Sequence, residues 1–175
     1  GSPLAILHTP EGSQLMVLEL GTSMPGELAR ISAMAAPDIA IITAAFGEHL
    51  EFLKTIDGVV EEETTILDSL PRGALAVVGS AEPKLVEAAR KRQHLRIESL
   101  GTRSEDDWHL GSIEMSIDGT RFTLSHHSGE RNLHTPLLGA PAAWAAAFSA
   151  IVARELGVSD ATIDTGLARV IPADH

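Results

Sequence analysis

The chain has 175 residues and is 44% hydrophobic, enough for one domain with a sizeable core and too little for three. A net charge of −11 and an aromatic share of 3%, with no Tyr, exclude nucleic acid as a partner, because the charge repels phosphates and there are few rings to stack on bases. With no Cys there is no disulfide framework or thiolate metal site; no apolar run approaches a membrane span and no signal peptide opens the chain, so the expectation is a cytoplasmic protein without a membrane partner.

"LMVLEL" (Leu15 to Leu20) is apolar except for Glu19 and reads as a buried strand. Gly21 to Gly26 supplies turn chemistry, tightest at Met24-Pro25-Gly26. From Glu27 the period becomes helical, with Leu28, Ile31 and Ala35 on one face, and Pro37 ends the helix. "DIAIIT" (Asp38 to Thr43) is a second strand, and two strands joined by such a helix imply a parallel sheet. "IITAAFGEHLEFL" then runs from that strand through a small-residue turn into a helix start. It sets Glu48, His49 and Glu51 just beyond the carboxyl end of a strand, the edge where open α/β sheets bind ligands.

Asp57 is expected to cap a helix to about Leu70, with Val59, Glu63, Ile66 and Leu70 facing inward. "ALAVVG" (Ala74 to Gly79) is a third strand, Pro83 begins a helix through Lys91, and "LRIESL" (Leu95 to Leu100) is a fourth strand. The pattern then alternates: "SIEMSIDGTRFTLSH" turns at Asp118-Gly119, a strong hairpin signal. Ile113, Met115 and Ile117 should share a face with Phe122 and Leu124, and Leu133 to Leu138 should add an edge strand. "GAPAAWAAAFSAIVAREL" is an Ala-rich helix anchored by Trp144, Phe148 and Ile151; Gly157 stops it, and Ser159 caps the last helix. The fold class expected is α/β: a mainly parallel sheet flanked by helices, with a small antiparallel hairpin subdomain, all in one domain.

Each residue that could carry chemistry has two readings. Glu19, an acid in an apolar strand, is either a Mg²⁺ ligand or a strand-end carboxylate reaching water. His49 is either a ligand or a helix-start packing residue, and Glu63 is either a site carboxylate or half of a salt bridge. His126 and His127 should point to opposite sides of a strand and lie in solvent, and "SEDDWH" reads as an acidic loop. GxxxxGK[ST], GxGxxG and GxSxG are all absent from these residues.

Taken together, "SPLAILHTPEGSQLMVLELGTSMPGELARISAMAAPDIAIIT", "EHLEFLKTIDGVVEEETTILDSLPRGALAVV", "GTRFTL", "TPLLG" and "ELGVSDATIDTGLARVIP" resemble, in order, the central ATPase domain of the Mur ligases. The branch most similar adds D-alanyl-D-alanine to a UDP-linked muramoyl tripeptide. The resemblance implies a P-loop-type three-layer domain and an ATP- and Mg²⁺-dependent amide ligase of peptidoglycan precursor synthesis. It further implies an N-terminal domain for the UDP-sugar and a C-terminal domain for the incoming amino acid, so that this chain is expected to be a segment of a longer protein. It assigns Glu19 and His49 to Mg²⁺ and places Glu63 where many members carry a carbamylated lysine. It also implies losses, since Ala44, Thr65, Gly79, Ala81, Ala142 and Ala145 stand where the family has amides or carboxylates. The expectation is therefore a parent ligase whose isolated segment is inactive, with no tightly bound cofactor; the alternative is a non-catalytic relative kept as a scaffold. An open sheet edge left without its upstream strand would favour dimerisation.

Overall fold

A computed structural model describes residues 2–45 and 50–171. The elements are α1 (Ser2–Leu7), α2 (Glu27–Ala35), β1 (Ala40–Ile42), α3 (Leu50–Leu53), α4 (Ile56–Thr64), β2 (Leu75–Gly79) and α5 (Pro83–Arg90). They continue with β3 (Arg96–Gly101), β4 (Trp108–Ser116), β5 (Gly119–His126), β6 (Gly129–Thr135), α6 (Ala140–Glu155) and α7 (Asp160–Leu167). The strands form a six-stranded mixed sheet in the order β1-β2-β3-β4-β5-β6. β1–β2 and β3–β4 are parallel, while β4–β5 and β5–β6 are antiparallel. The α/β class with its added hairpin is therefore as expected. The chain divides into two compact units, residues 1–97 and 98–175.

In the first unit every residue of β2 is buried, as its unbroken apolar run requires of a strand covered on both faces. Val78 and Ala76 meet Ile42 and Ala40 of β1 in register. Around them pack Val59, Val60 and Leu67 from the α4 region and Leu85, Val86 and Ala89 from α5. Burial of each such Val or Leu contributes roughly 1.5–3 kcal/mol.

Two expectations in this unit are corrected. Leu15 to Leu20 forms no strand: Leu15 is 63% exposed and Val17 87%. A strand needs a ladder partner for its backbone groups, and β1 pairs with β2 and with no strand from this segment. The α4 cap is Thr55, whose hydroxyl accepts from Gly58 N at 3.1 Å; Asp57 instead pairs with Lys84 at the surface. The helix is also shorter than expected, tightening at Thr65–Ser69 into a 3₁₀ turn.

In the second unit the hairpin is longer than the alternation indicated. β4 and β5 turn at Ile117-Asp118, closed by the Ser116–Gly119 pair, one residue earlier than the Asp118-Gly119 signal. Between Gly111 and Glu114 the register shifts, with Ser112 at φ 44, so two residues oppose one on β5. Phe122 and Leu124 are buried, together with Trp108 and Leu110, but Met115 and Ile117 are exposed at the tip. β6 begins at Gly129, not Leu133, because the two-residue turn His127-Ser128 folds the polar run "GERNLH" straight back on β5. Thr120, fully buried, donates its hydroxyl to Leu137 O at 2.8 Å and accepts from Gly139 N at 2.9 Å, which sets the entry to α6.

The buried face of α6 is mostly Ala (Ala143, Ala146, Ala147, Ala150) with Phe148 and Ile151, and Trp144 is half-buried. Gly157, at φ 79, ends it in a Schellman arrangement, with Val158 N donating to Ala153 O and Gly157 N to Arg154 O. Ser159 caps α7 as expected. Arg131 then clamps α7 to β6 through Asp160 and Asp164.

Candidate functional site

Helix α2 starts at Gly26, which sits at φ 78 and has no side chain with which to cap the helix. The acceptor comes from a different helix. Glu62, on the last turn of α4 and 5% exposed, receives Gly26 N on Oε2 at 2.7 Å, and Leu28 N and the Thr22 hydroxyl on Oε1, each at 2.9 Å. A carboxylate at a helix N-terminus satisfies orphan N–H groups and meets the positive end of the helix dipole. Glu27 returns the favour locally by accepting from Ser23 N at 3.0 Å. Residues 22–28 are thus tied to α4 by one buried acid.

The sequence singled out Glu63, the neighbour of this residue, because Val59, Glu63, Ile66 and Leu70 are spaced as a helical stripe. Val59 and Leu70 are buried and Ile66 packs on the core as expected, but Glu63 is only half-buried, and Val60, Glu62, Thr64 and Leu67 are the other buried positions. A signal for Glu62 did exist: a helix beginning on Pro25-Gly26 needs an external acceptor, and Glu61-Glu62-Glu63 offers three.

Glu19 is exposed and lies on the irregular segment that was expected to be a strand. It lines an open groove of about 810 Å³ with Pro3, Ala5, Val17 and Leu18, and with Glu27, Arg30, Ile31 and Met34 of α2. His49, the second expected Mg²⁺ ligand, lies outside the described residues. Among the described residues no three His, Asp or Glu side chains are grouped as metal ligands.

The other positions that the resemblance associates with nucleotide carry no group to replace what is missing. At Gly79 an added Cβ would stand 2.0 Å from Thr43 O, so the close approach of β1 and β2 leaves no room for an amide side chain. Ala81 is exposed, and Glu82 beside it caps α5 by accepting from Lys84 N at 3.1 Å. At the start of α6, Ala142 is buried and Ala145 exposed, both without a polar atom in the side chain. Among the described residues, no three-residue group of metal-ligating side chains stands at these positions.

The acids of "SEDDWH" are structural. Asp107 Oδ2 accepts from Ser99 N at 2.8 Å and from its hydroxyl at 3.0 Å, and Asp106 accepts from Arg103 N at 3.0 Å. His127 is exposed as expected, whereas His126 is half-buried. Their rings lie 3.7 Å apart, and His126 stacks on Trp108.

The profile of the family described as Mur ligase middle domain matches residues 1–153. The chain belongs to the Mur ligase family. It is 31% identical over 139 residues to the UDP-N-acetylmuramoyl-tripeptide–D-alanyl-D-alanine ligase of Bacillus subtilis (strain 168), a match covering 79% of this chain and 29% of that enzyme. The MurF crystal structure from Acinetobacter baumannii superposes with a TM-score of 0.85 at 24% identity, over 99% of this chain and 38% of that one. MurF from Thermotoga maritima, solved in complex with ADP, gives 0.82 at 24% identity, over 98% of this chain and 39% of that one. The Mur ligase domain seen here thus spans about a third of the length of the relatives it matches. The resemblance read from the quoted stretches is borne out.

Proposed function

We propose that this Mur ligase domain is part of an ATP-dependent amide ligase of peptidoglycan precursor synthesis, acting in the cytoplasm on a UDP-linked muramoyl peptide, with the ATP chemistry completed by an upstream P-loop and the UDP-sugar and amino acid held by N- and C-terminal domains of a parent chain. The 175-residue chain alone is inactive. The observation that carries the assignment is the extended similarity to the UDP-N-acetylmuramoyl-tripeptide–D-alanyl-D-alanine ligase of Bacillus subtilis (strain 168). In this reading Glu19 and His49 remain the candidate metal positions, and Glu63 marks the family's modified-lysine position.

Inactivity of the isolated chain follows from how phosphoryl groups are activated. Transfer relies on positioning and on charge neutralisation by backbone amides, a Lys and metal around the phosphates. These residues contain no glycine-rich loop followed by Lys, and Ala44, Gly79, Ala142 and Ala145 add no polar side-chain atom. Those same residues, together with Glu62 committed to capping α2, favour a second reading in which the parent is a non-catalytic scaffold. The upstream reading frame separates the two: a GxxGK[ST] supports the ligase, and an altered loop supports the scaffold.

The activity test is phosphate release by the purified chain given Mg-ATP, UDP-muramoyl tripeptide and D-alanyl-D-alanine. The expected rate equals the enzyme-free blank. Turnover that disappears on His49→Ala would show a working site in this chain and overturn the reading.

A further inference from the structure

At the far end of β5, remote in sequence from Glu19, His49 and Glu63, three rings and three polar side chains form a continuous cluster. His126, the last residue of β5, stacks on Trp108 of β4 with centroids 4.0 Å apart and planes at 12°. His127, in the turn to β6, tilts against His126 at 3.7 Å. The Trp108 indole N–H donates to Glu98 of β3 at 2.6 Å. From α6, the Arg154 guanidinium carbon lies 6.0 Å from the indole centroid, and Nη2 donates to Ser128 Oγ at 3.2 Å. The same Ser128 Oγ is 3.2 Å from His126 Nδ1.

The chemistry of that chain depends on one proton. An arginine only donates, a serine hydroxyl both accepts and donates, and a neutral imidazole nitrogen can accept. With His126 neutral and Nδ1 unprotonated, the run Arg154 → Ser128 → His126 ties the β5–β6 turn to α6. A proton on Nδ1 reverses the last link. Ser128 Oγ then faces two cationic donors, its own hydrogen turns from His126 to solvent, and the imidazolium stands beside His127 and Arg154.

We propose that this cluster is a pH-sensitive clasp, closed while His126 is neutral and loosened between the β5–β6 turn and α6 when His126 is protonated. The surrounding charges fit. Burial, and then the neighbouring His127, hold His126 below the usual histidine range; Glu98 and Asp107 pull the other way, and Arg154 adds to the lowering. In the adjoining hollow Glu130 is held by Ser125, and Arg131 by Asp160 and Asp164. Because the folded protein binds this proton more weakly than the unfolded chain, the stabilisation is complete above the ordinary histidine value. It is lost as pH falls through the lower folded-state value.

The test uses the whole chain with Trp144→Phe, which leaves Trp108 as the sole tryptophan. Its fluorescence is followed from about pH 8 to about pH 5, beside NMR titration of the imidazole nitrogens. The expected result is one transition centred below the usual histidine range, coinciding with His126 protonation. It should be abolished in His126→Phe, which keeps a ring in the stack, and moved to higher pH in His127→Gln, which removes the like-charged neighbour. A transition that persists in His126→Phe, or a midpoint that His127→Gln leaves unmoved, would overturn the clasp.

Discussion

Glu62→Ala is expected to destabilise the chain by about 3 kcal/mol, the largest loss from any single polar side chain in the first unit. The substitution removes a charged acceptor from two backbone N–H groups and one hydroxyl in a site that is 5% exposed. Hydrogen bonds to charged groups contribute about 1.5–3 kcal/mol, and each buried donor left without a partner costs a further 1–3 kcal/mol, roughly, before relaxation. Water reaching the vacated space would recover part of that. Glu63→Ala, one residue away and half-buried, should cost clearly less. Urea denaturation followed by far-UV circular dichroism measures both. Equal losses for the two variants would mean that Glu62 does not hold α2.

Gly79→Ala should destabilise the chain by about 3 kcal/mol, because the new Cβ would sit 2.0 Å from Thr43 O and 2.9 Å from Thr43 C, both backbone atoms. No rotamer change relieves a contact with backbone, so β1 would have to move away from β2. Gly79→Asn restores the amide that the resemblance places here and should be at least as destabilising. Denaturation midpoints close to that of the parent for both variants would contradict the close packing of the two strands.

Much of the fold was legible because burial on both faces leaves a plain mark. "ALAVVG" and "LRIESL" each gave a strand within a residue or two of its place, and Asp118-Gly119 marked the hairpin. "LMVLEL" has the same mark and forms no strand, since apolar composition records a wish for burial and not the presence of a ladder partner. The site was harder to read. Periodicity chose Glu63, four residues from Val59, whereas Glu62, three residues from Val59 on the same helix, is the buried acid. His126 was singled out but read as solvated, because Trp108 stacks on it from β4 and Arg154 reaches it through Ser128 from α6, contacts that no local pattern shows. Thr120 was likewise silent: a threonine on a hairpin looks ordinary until Leu137 and Gly139 are folded onto it.

The proposal with most at stake is that this Mur ligase domain does not by itself bind nucleotide tightly. Isothermal titration of the purified 175-residue chain with Mg-ATP tests it most directly. The account predicts no saturable heat at micromolar nucleotide, in the parent and in Glu19→Ala alike. Saturable micromolar binding that is lost in Glu19→Ala or His49→Ala would contradict it.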